Sequence, residues 1–312
     1  MNRKSVFGWL CLSLGLALLF MLRPVWAQAQ PQAQKNPWVH GDELQWGSAG
    51  TLGPGTSTKV LLTKENGFLD DLIRAEYVLK IDAGGSYTAN NTPKEDLAFY
   101  VTAGQAKFTM GTQVIDAKPG DAFGIPAGTT HGIANNGKDP FEVVVFAAPV
   151  AAPNPANKPV FGRADDMKWA PNATHGPGCE LKMILSGGFS NAMRGLWTIR
   201  VNGFGVNIVH SGAEHQLFYI YEAPVPVKTP RDSRTDAGRL IVGNTIMQTR
   251  IGDAFYAGGA PKIVEHGMFN ENKDQPLTYV AIGVPVGGTA RGGGAARGAA
   301  PARGAAAPAG GR

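Results

Sequence analysis

Cysteine is almost missing from this chain: Cys11 and Cys179 are the only two in 312 residues. So few thiols exclude a disulfide framework. Charged residues are also sparse, at 17%, and beyond the N-terminal apolar run no long segment shows the 3.6-residue hydrophobic period of an amphipathic helix. A helical bundle is thereby excluded. Acidic residues are absent from both ends, where residues 1–27 carry Arg3, Lys4 and Arg23 and residues 287–312 carry Arg291, Arg297, Arg303 and Arg312. Subtracting these seven cationic residues from the formal +5 leaves −2 for the rest. The pI of 9.2 therefore belongs to the ends and gives no ground for a nucleic-acid partner.

The ends read as something other than fold. Arg3 and Lys4 precede an apolar run from Val6 to Leu22, followed by Val25-Trp26-Ala27. That is the layout of a secretory signal peptide over 1–27, cleaved after Ala27. The expected location is secreted or periplasmic, with no stable membrane span left after cleavage; an uncleaved segment would instead anchor the protein. Cys179 would then be the lone thiol, read as filler because no His-Cys motif surrounds it. Residues 28–50 form an N-terminal arm. The tail, 287–312, is almost wholly Gly, Ala, Pro and Arg; with no apolar face to bury, it is expected to be disordered.

Between the ends, short runs rich in Val, Ile, Tyr and Phe are bounded by Gly, Pro, Asn and Asp. They are Glu76 to Ile81, Ala98 to Val101, Phe141 to Phe146, Leu196 to Val201, Leu217 to Tyr221 and Leu277 to Ile282. An all-β fold is the economical reading, and three hundred residues suit two domains.

The two domains are copies. Gly120-Asp121-Ala122-Phe123, His131-Gly132, Asn135 and Lys138-Asp139 recur as Gly252-Asp253-Ala254-Phe255, His266-Gly267, Asn270 and Lys273-Asp274. Fixed order with a matched His and Asn marks a duplication. The expected organisation is a first barrel over 51–150, a linker over 151–175 containing the Pro/Ala/Asn run from Ala151 to Pro159, and a second barrel over 176–286.

Copy one contains Gly120-x5-Pro126-x-Gly128-x2-His131-x3-Asn135. This resembles the second signature motif of the cupin family. The resemblance implies two tandem double-stranded β-helix, or jelly-roll, barrels, a bicupin whose large sheets pack together, with further homo-oligomer formation left open. The family's first motif supplies two histidines and a glutamate as metal ligands. Copy one aligns with it as Gly85-x5-Asn91-x-Pro93-x3-Leu97-x6-Gly104, and Pro and Leu cannot bind a cation, so its His131 is expected to be a hydrogen-bonded interior residue. Copy two aligns as Phe204-x5-His210-x-Gly212-x3-Gln216-x6-Ala223, with both skeletal glycines replaced.

The resemblance thus implies a metal site of His210, Gln216 and His266 in copy two, with Gly212 at the place of the family's second histidine. Strand alternation puts His215 on the opposite face from Gln216. A one-residue slip would substitute His215 for Gln216, and a turn of the preceding loop would bring in Glu214. Two neutral imidazoles and an amide leave a divalent cation (Fe, Mn, Ni or Zn) its full charge, which suits an anionic oxygen ligand. Two functions follow. One is a metal-dependent enzyme acting on a small organic acid or sugar-derived substrate. The other is an exported, metal-free binding or scaffold bicupin with a pocket lined by aromatics such as Phe99, Phe218 and Tyr219. Residues 224–250, with Lys228, Arg231, Arg234 and Arg239, form either a cationic lid or a solvated loop.

Overall fold

The computed structural model describes residues 37–63, 73–90, 92–210, 214–224, 238–258 and 264–285, all within one unit that begins at Pro37. The signal segment, the C-terminal tail, Asn91, Gly212 and most of the basic loop (225–237) lie outside the described residues. Among the described residues, apart from three single-turn 3-10 helices, the regular structure is β.

Four antiparallel sheets repeat one plan twice. In copy one the seven-stranded sheet runs, edge to edge, Val160–Arg163, Asp121–Ile125, Glu95–Ala103, Phe141–Pro149, Ala75–Ile81, Thr56–Thr63 and Gly47–Ser48. Its four-stranded partner is Ser86–Asn90, His131–Ala134, Ala106–Met110 and Gln113–Ala117. Copy two has the same order: Trp38–Val39, Ala254–Ala257, Glu214–Glu222, Leu277–Pro285, Gly195–Val201, Cys179–Ser186 and Ala170–Pro171, faced by Val206–His210, His266–Asn270, Gly238–Val242 and Thr245–Gln248. Each pair of sheets closes into a jelly-roll barrel.

The longest strands are apolar on both faces because both faces are buried. Phe99 and Val101 point into barrel one, while Ala98 and Tyr100 point the other way. That outward face meets Leu196, Leu217, Tyr219, Val280 and Ile282 of copy two, so the large sheets pack back to back through a third core. Tyr219 therefore belongs to this inter-barrel layer and not to a pocket. Its neighbour Phe218 faces the interior of barrel two.

The two edge strands cross over. Val160–Arg163, within the expected linker, pairs with Asp121–Ile125 of barrel one. Trp38–Val39, in the N-terminal arm, pairs with Ala254–Ala257 of barrel two. Each repeat thus begins with a strand that completes the sheet of the other.

The repeated asparagine holds this frame. Asn135 donates from Nδ2 to the carbonyls of Ile81 and Asp139, both at 2.9 Å. Asn270 does the same to Val201 and Gln275 at 2.9 and 2.8 Å. The repeated glycines of the Gly-Asp turns, Gly120 and Gly252, have φ of 89° and 93°, a region only glycine enters freely.

Candidate functional site

The copies share a frame and differ in what they put inside it. In the smaller sheet of each barrel, the strand paired with the motif-histidine strand carries a bulge next to that histidine. In copy two this sets His210 opposite His266. In copy one the same bulge sets Asn90, not Asn91, opposite His131. The sequence alignment is one residue out over this segment, because copy two has one residue fewer before the next strand. The correction also restores a glycine: Gly205 is equivalent to Gly85, since its carbonyl accepts the N–H of Asn270 at 3.1 Å as Gly85 accepts that of Asn135 at 3.0 Å. Phe204 takes the left-handed place of Gly84, with φ of 57° against 76°.

His131 is satisfied on both nitrogens. Nδ1–H donates to the Thr129 carbonyl at 2.9 Å, and Nε2 accepts from the Tyr87 hydroxyl at 3.2 Å. The Tyr87 ring stacks on it and Phe99 abuts it. Barrel one is filled here by aromatic side chains.

Barrel two replaces those fillers. Register puts Asn207 where Tyr87 stands, Leu240 in place of Phe108, Ala257 in place of Ile125 and Gln216 in place of Leu97. Smaller side chains leave a cavity of about 310 Å³, lined by His175, His210, His266, Glu214, Gln216 and Arg194 with an apolar wall that includes Trp197 and Phe218. Gln216 pairs across the sheet with Gly283. A Cβ there would come within 2.7 Å of the Trp197 ring and 2.8 Å of the Glu214 carboxylate, so glycine makes room for both.

Alternation on the Glu214–Glu222 strand settles which neighbours face the cavity. Glu214 and Gln216 face it together. His215 points the other way, is buried, and is hydrogen-bonded to the Tyr256 hydroxyl. Glu214 receives Arg194 at 3.0 Å at the cavity mouth.

Three imidazoles meet in this cavity. The His210 and His266 ring centres are 4.3 Å apart, and His175 meets His210 edge-on at 4.5 Å. His210 donates Nδ1–H to the Ile208 carbonyl at 2.7 Å, which leaves Nε2 as a free lone pair. His266 is buried, and its Nδ1 has no hydrogen-bond partner among the described residues. Burial, with His210 and His175 beside it, pushes His266 down to about 3. Burial and His210 also lower His175. At neutral pH His266 and His175 are therefore neutral donors, the form a metal takes.

His175 lies outside both motifs. The signal for it is another internal repeat: Thr174-His175-Gly176-Pro177-Gly178 matches Thr51-Leu52-Gly53-Pro54-Gly55, with His in place of Leu.

As the rings stand, the only group of three His, Cys or acidic donor atoms within 4.8 Å of one another among the described residues is elsewhere, at His40, Asp42 and Asp253. There His40 Nδ1–H already donates to Asp253 at 3.0 Å, and Arg250 sits on Asp42 at 3.0 Å. The equivalent carboxylate of barrel one, Asp121, holds Arg163 instead. That cluster reads as an arm clamp.

The remaining sequence-derived sites resolve simply. Cys179 is buried, and burial pushes its thiol up to about 11, so it is not a nucleophile. Arg239, from the basic loop, is paired with Glu271 at 2.9 Å. No helix among the described residues is long and apolar enough to cross a membrane.

Two back-to-back jelly rolls, one filled and one holding an imidazole-lined cavity, define a two-barrel β protein. Residues 77–147, within barrel one, match the Cupin domain family, and barrel two repeats the same strand order. No curated protein sequence matches it. Among solved structures it is similar to protein YlbA from E. coli, with a TM-score of 0.60 at 11% identity over 79% of this chain and 89% of that one. It is similar to a mutant of Bacillus subtilis oxalate decarboxylase, with a TM-score of 0.59 at 13% identity over 80% and 78%. The Lactobacillus farciminis oxalate decarboxylase formate complex gives 0.58 at 13% identity over 80% and 86%. At these identities the likeness is one of fold.

Proposed function

We propose that barrel two is the working half of an exported, divalent-metal-dependent bicupin enzyme acting on a small organic acid or sugar-derived substrate, with His210, Gln216 and His266 as metal donors. One observation carries this reading. His266, kept neutral with a buried and unpartnered nitrogen, faces His210 across a cavity, whereas its counterpart His131 is satisfied and enclosed. A buried donor without a partner calls for an explanation, and a cation in this cavity supplies one. The donor set of imidazoles and an amide fits Fe, Mn, Ni or Zn.

When bound, the cation would act as a Lewis acid on an oxygen of the substrate. The chain's own residues do the rest. Arg194, largely exposed at the mouth, offers a guanidinium to a carboxylate. Leu181, Met183, Trp197 and Phe218 wall the cavity with apolar surface that excludes water from the substrate body. Glu214, held by Arg194 on the cavity face, is the carboxylate placed to take up or return a proton. The small-carboxylate chemistry named for the oxalate decarboxylase neighbours supports this substrate class.

The secreted or periplasmic location is part of the proposal and rests on residues 1–27. The domain limits are likewise part of the proposal, with 51–150 and 176–286 as the bodies of the barrels and the strands at 160–163 and 38–39 completing their sheets. The metal-free binding bicupin remains a second reading, favoured by the apolar cavity wall and by imidazole nitrogens that do not close on one point.

The test is turnover of a panel of small mono- and dicarboxylates and sugar acids by protein loaded in turn with Fe(II), Mn(II), Ni(II) and Zn(II). Metal-dependent loss of one substrate class, abolished in Glu214→Gln, is expected. Saturable binding of an acid with no turnover under any metal would select the binding reading.

A further inference from the structure

We propose that His175 is a third imidazole donor of this site, brought in from outside both motifs where the family pattern has a histidine and this chain has Gly212. The inference rests on the metal reading above.

The loop that carries His175 is built like its counterpart in copy one. Pro177 O accepts the Val206 N–H at 2.9 Å, and Pro54 O accepts that of Ser86 at 2.9 Å. Gly176 and Gly53 both have φ above 100°, and Gly178 and Gly55 have φ of 73° and 69°. A Cβ on Gly176 would sit 2.7 Å from the Val206 carbonyl, so the close approach is structural. With the backbone the same, the side chain is what differs. Leu52 packs against the core of barrel one, while His175 lines the cavity of barrel two.

One residue orients two of the rings. The Ile208 N–H donates to the His175 carbonyl at 2.7 Å, and the Ile208 carbonyl accepts His210 Nδ1–H at the same distance. The rings they carry meet at 85° with centres 4.5 Å apart. His175 and His210 thus stand side by side on the cavity wall, with the His266 ring 4.3 Å from His210, although the three sets of nitrogens do not close on one point as the rings stand. The buried His266 nitrogen has no hydrogen-bond partner among the described residues, and a divalent cation shared by the three rings would supply one. His175, His210, His266 and Gln216 would hold the cation and leave room beside it for a substrate oxygen.

The experiment is a Co(II) titration of the purified protein and of His175→Leu, which installs the residue that copy one carries, with His131→Gln as the barrel-one control. Expected results are one Co(II) per chain in wild type and the control. His175→Leu should bind at least tenfold more weakly, with a Co(II) absorption spectrum changed toward fewer nitrogen donors. Wild-type affinity and spectrum in His175→Leu would overturn the ligand role of His175 and leave the metal reading standing. No binding of Co(II) or Zn(II) by wild type would overturn both. Should His175→Leu fail to fold, 15N NMR of wild type with Zn(II) reads the same question. The His175 imidazole signals must shift with those of His210 and His266; if they stay fixed while the other two move, the proposal fails.

Discussion

Asp121 and Asp253 occupy the same place in the two barrels and do the same work with different partners. Each is fully buried and accepts the backbone N–H three residues before it, from Lys118 at 3.1 Å and from Arg250 at 2.9 Å. Each also holds a side chain at the end of the crossing edge strand or just past it, Arg163 at 2.7 Å for Asp121 and His40 at 3.0 Å for Asp253. The Gly-Asp turn therefore fastens each barrel to the strand that begins the other repeat. Replacing Asp121 with Ala is expected to cost about 2 kcal/mol, since a buried backbone N–H and a guanidinium lose their acceptor. Chemical denaturation checks this, with Lys107→Ala, an exposed pair of barrel one, expected to change stability by less than about 1 kcal/mol.

Asn135→Ala and Asn270→Ala should behave alike. Each deletes three side-chain hydrogen bonds, two donated to backbone carbonyls and one accepted from a backbone N–H, for a loss of about 2 kcal/mol. Equal effects in the two barrels, read from unfolding curves, would show that the repeated asparagine serves the frame and not the chemistry.

Acid sensitivity follows from His266. Its folded form stays neutral down to about 3, while in the unfolded chain it takes a proton near 6.5. The stability it contributes is complete above the unfolded value and is lost as pH falls toward the folded one. His266→Gln should therefore flatten the melting temperature of the metal-free protein between pH 6.5 and 4. An unchanged pH slope would contradict the assignment.

Glu76 has the opposite sign. It is buried between the barrels, neither carboxylate oxygen has a hydrogen-bond partner among the described residues, and burial holds its carboxyl well above the usual range. The folded protein keeps this proton while the unfolded chain releases it near 4.5, so stability falls as pH rises through and beyond that value. Glu76→Gln should raise stability at pH 7 by about 1–3 kcal/mol and change little at pH 4.

Much of this was legible in the sequence. The duplication, the strand runs and the motif around His131 carry the all-β, two-barrel fold, because alternating burial and turn glycines leave direct marks on residue choice. His210, Gln216 and His266 were legible by the same route and line one cavity. What was missed has local causes. The crossing strands are too short, Trp38–Val39 being two residues, to show any periodicity. His175 sits in a loop whose repeat is written in glycine and proline, and its counterpart Leu52 gives no hint of chemistry. A gap-free alignment sets Asn91 in place of Asn90 because copy two has one residue fewer between the strand ending there and the next.

The central claim is that the imidazoles of barrel two hold a divalent cation. Elemental analysis of the purified protein beside a His210→Ala/His266→Ala double variant tests it most directly. Near-stoichiometric Fe, Mn, Ni or Zn in wild type, lost in a double variant that still folds, is the expected result. A protein that holds none of them, even after incubation with each, would contradict the account.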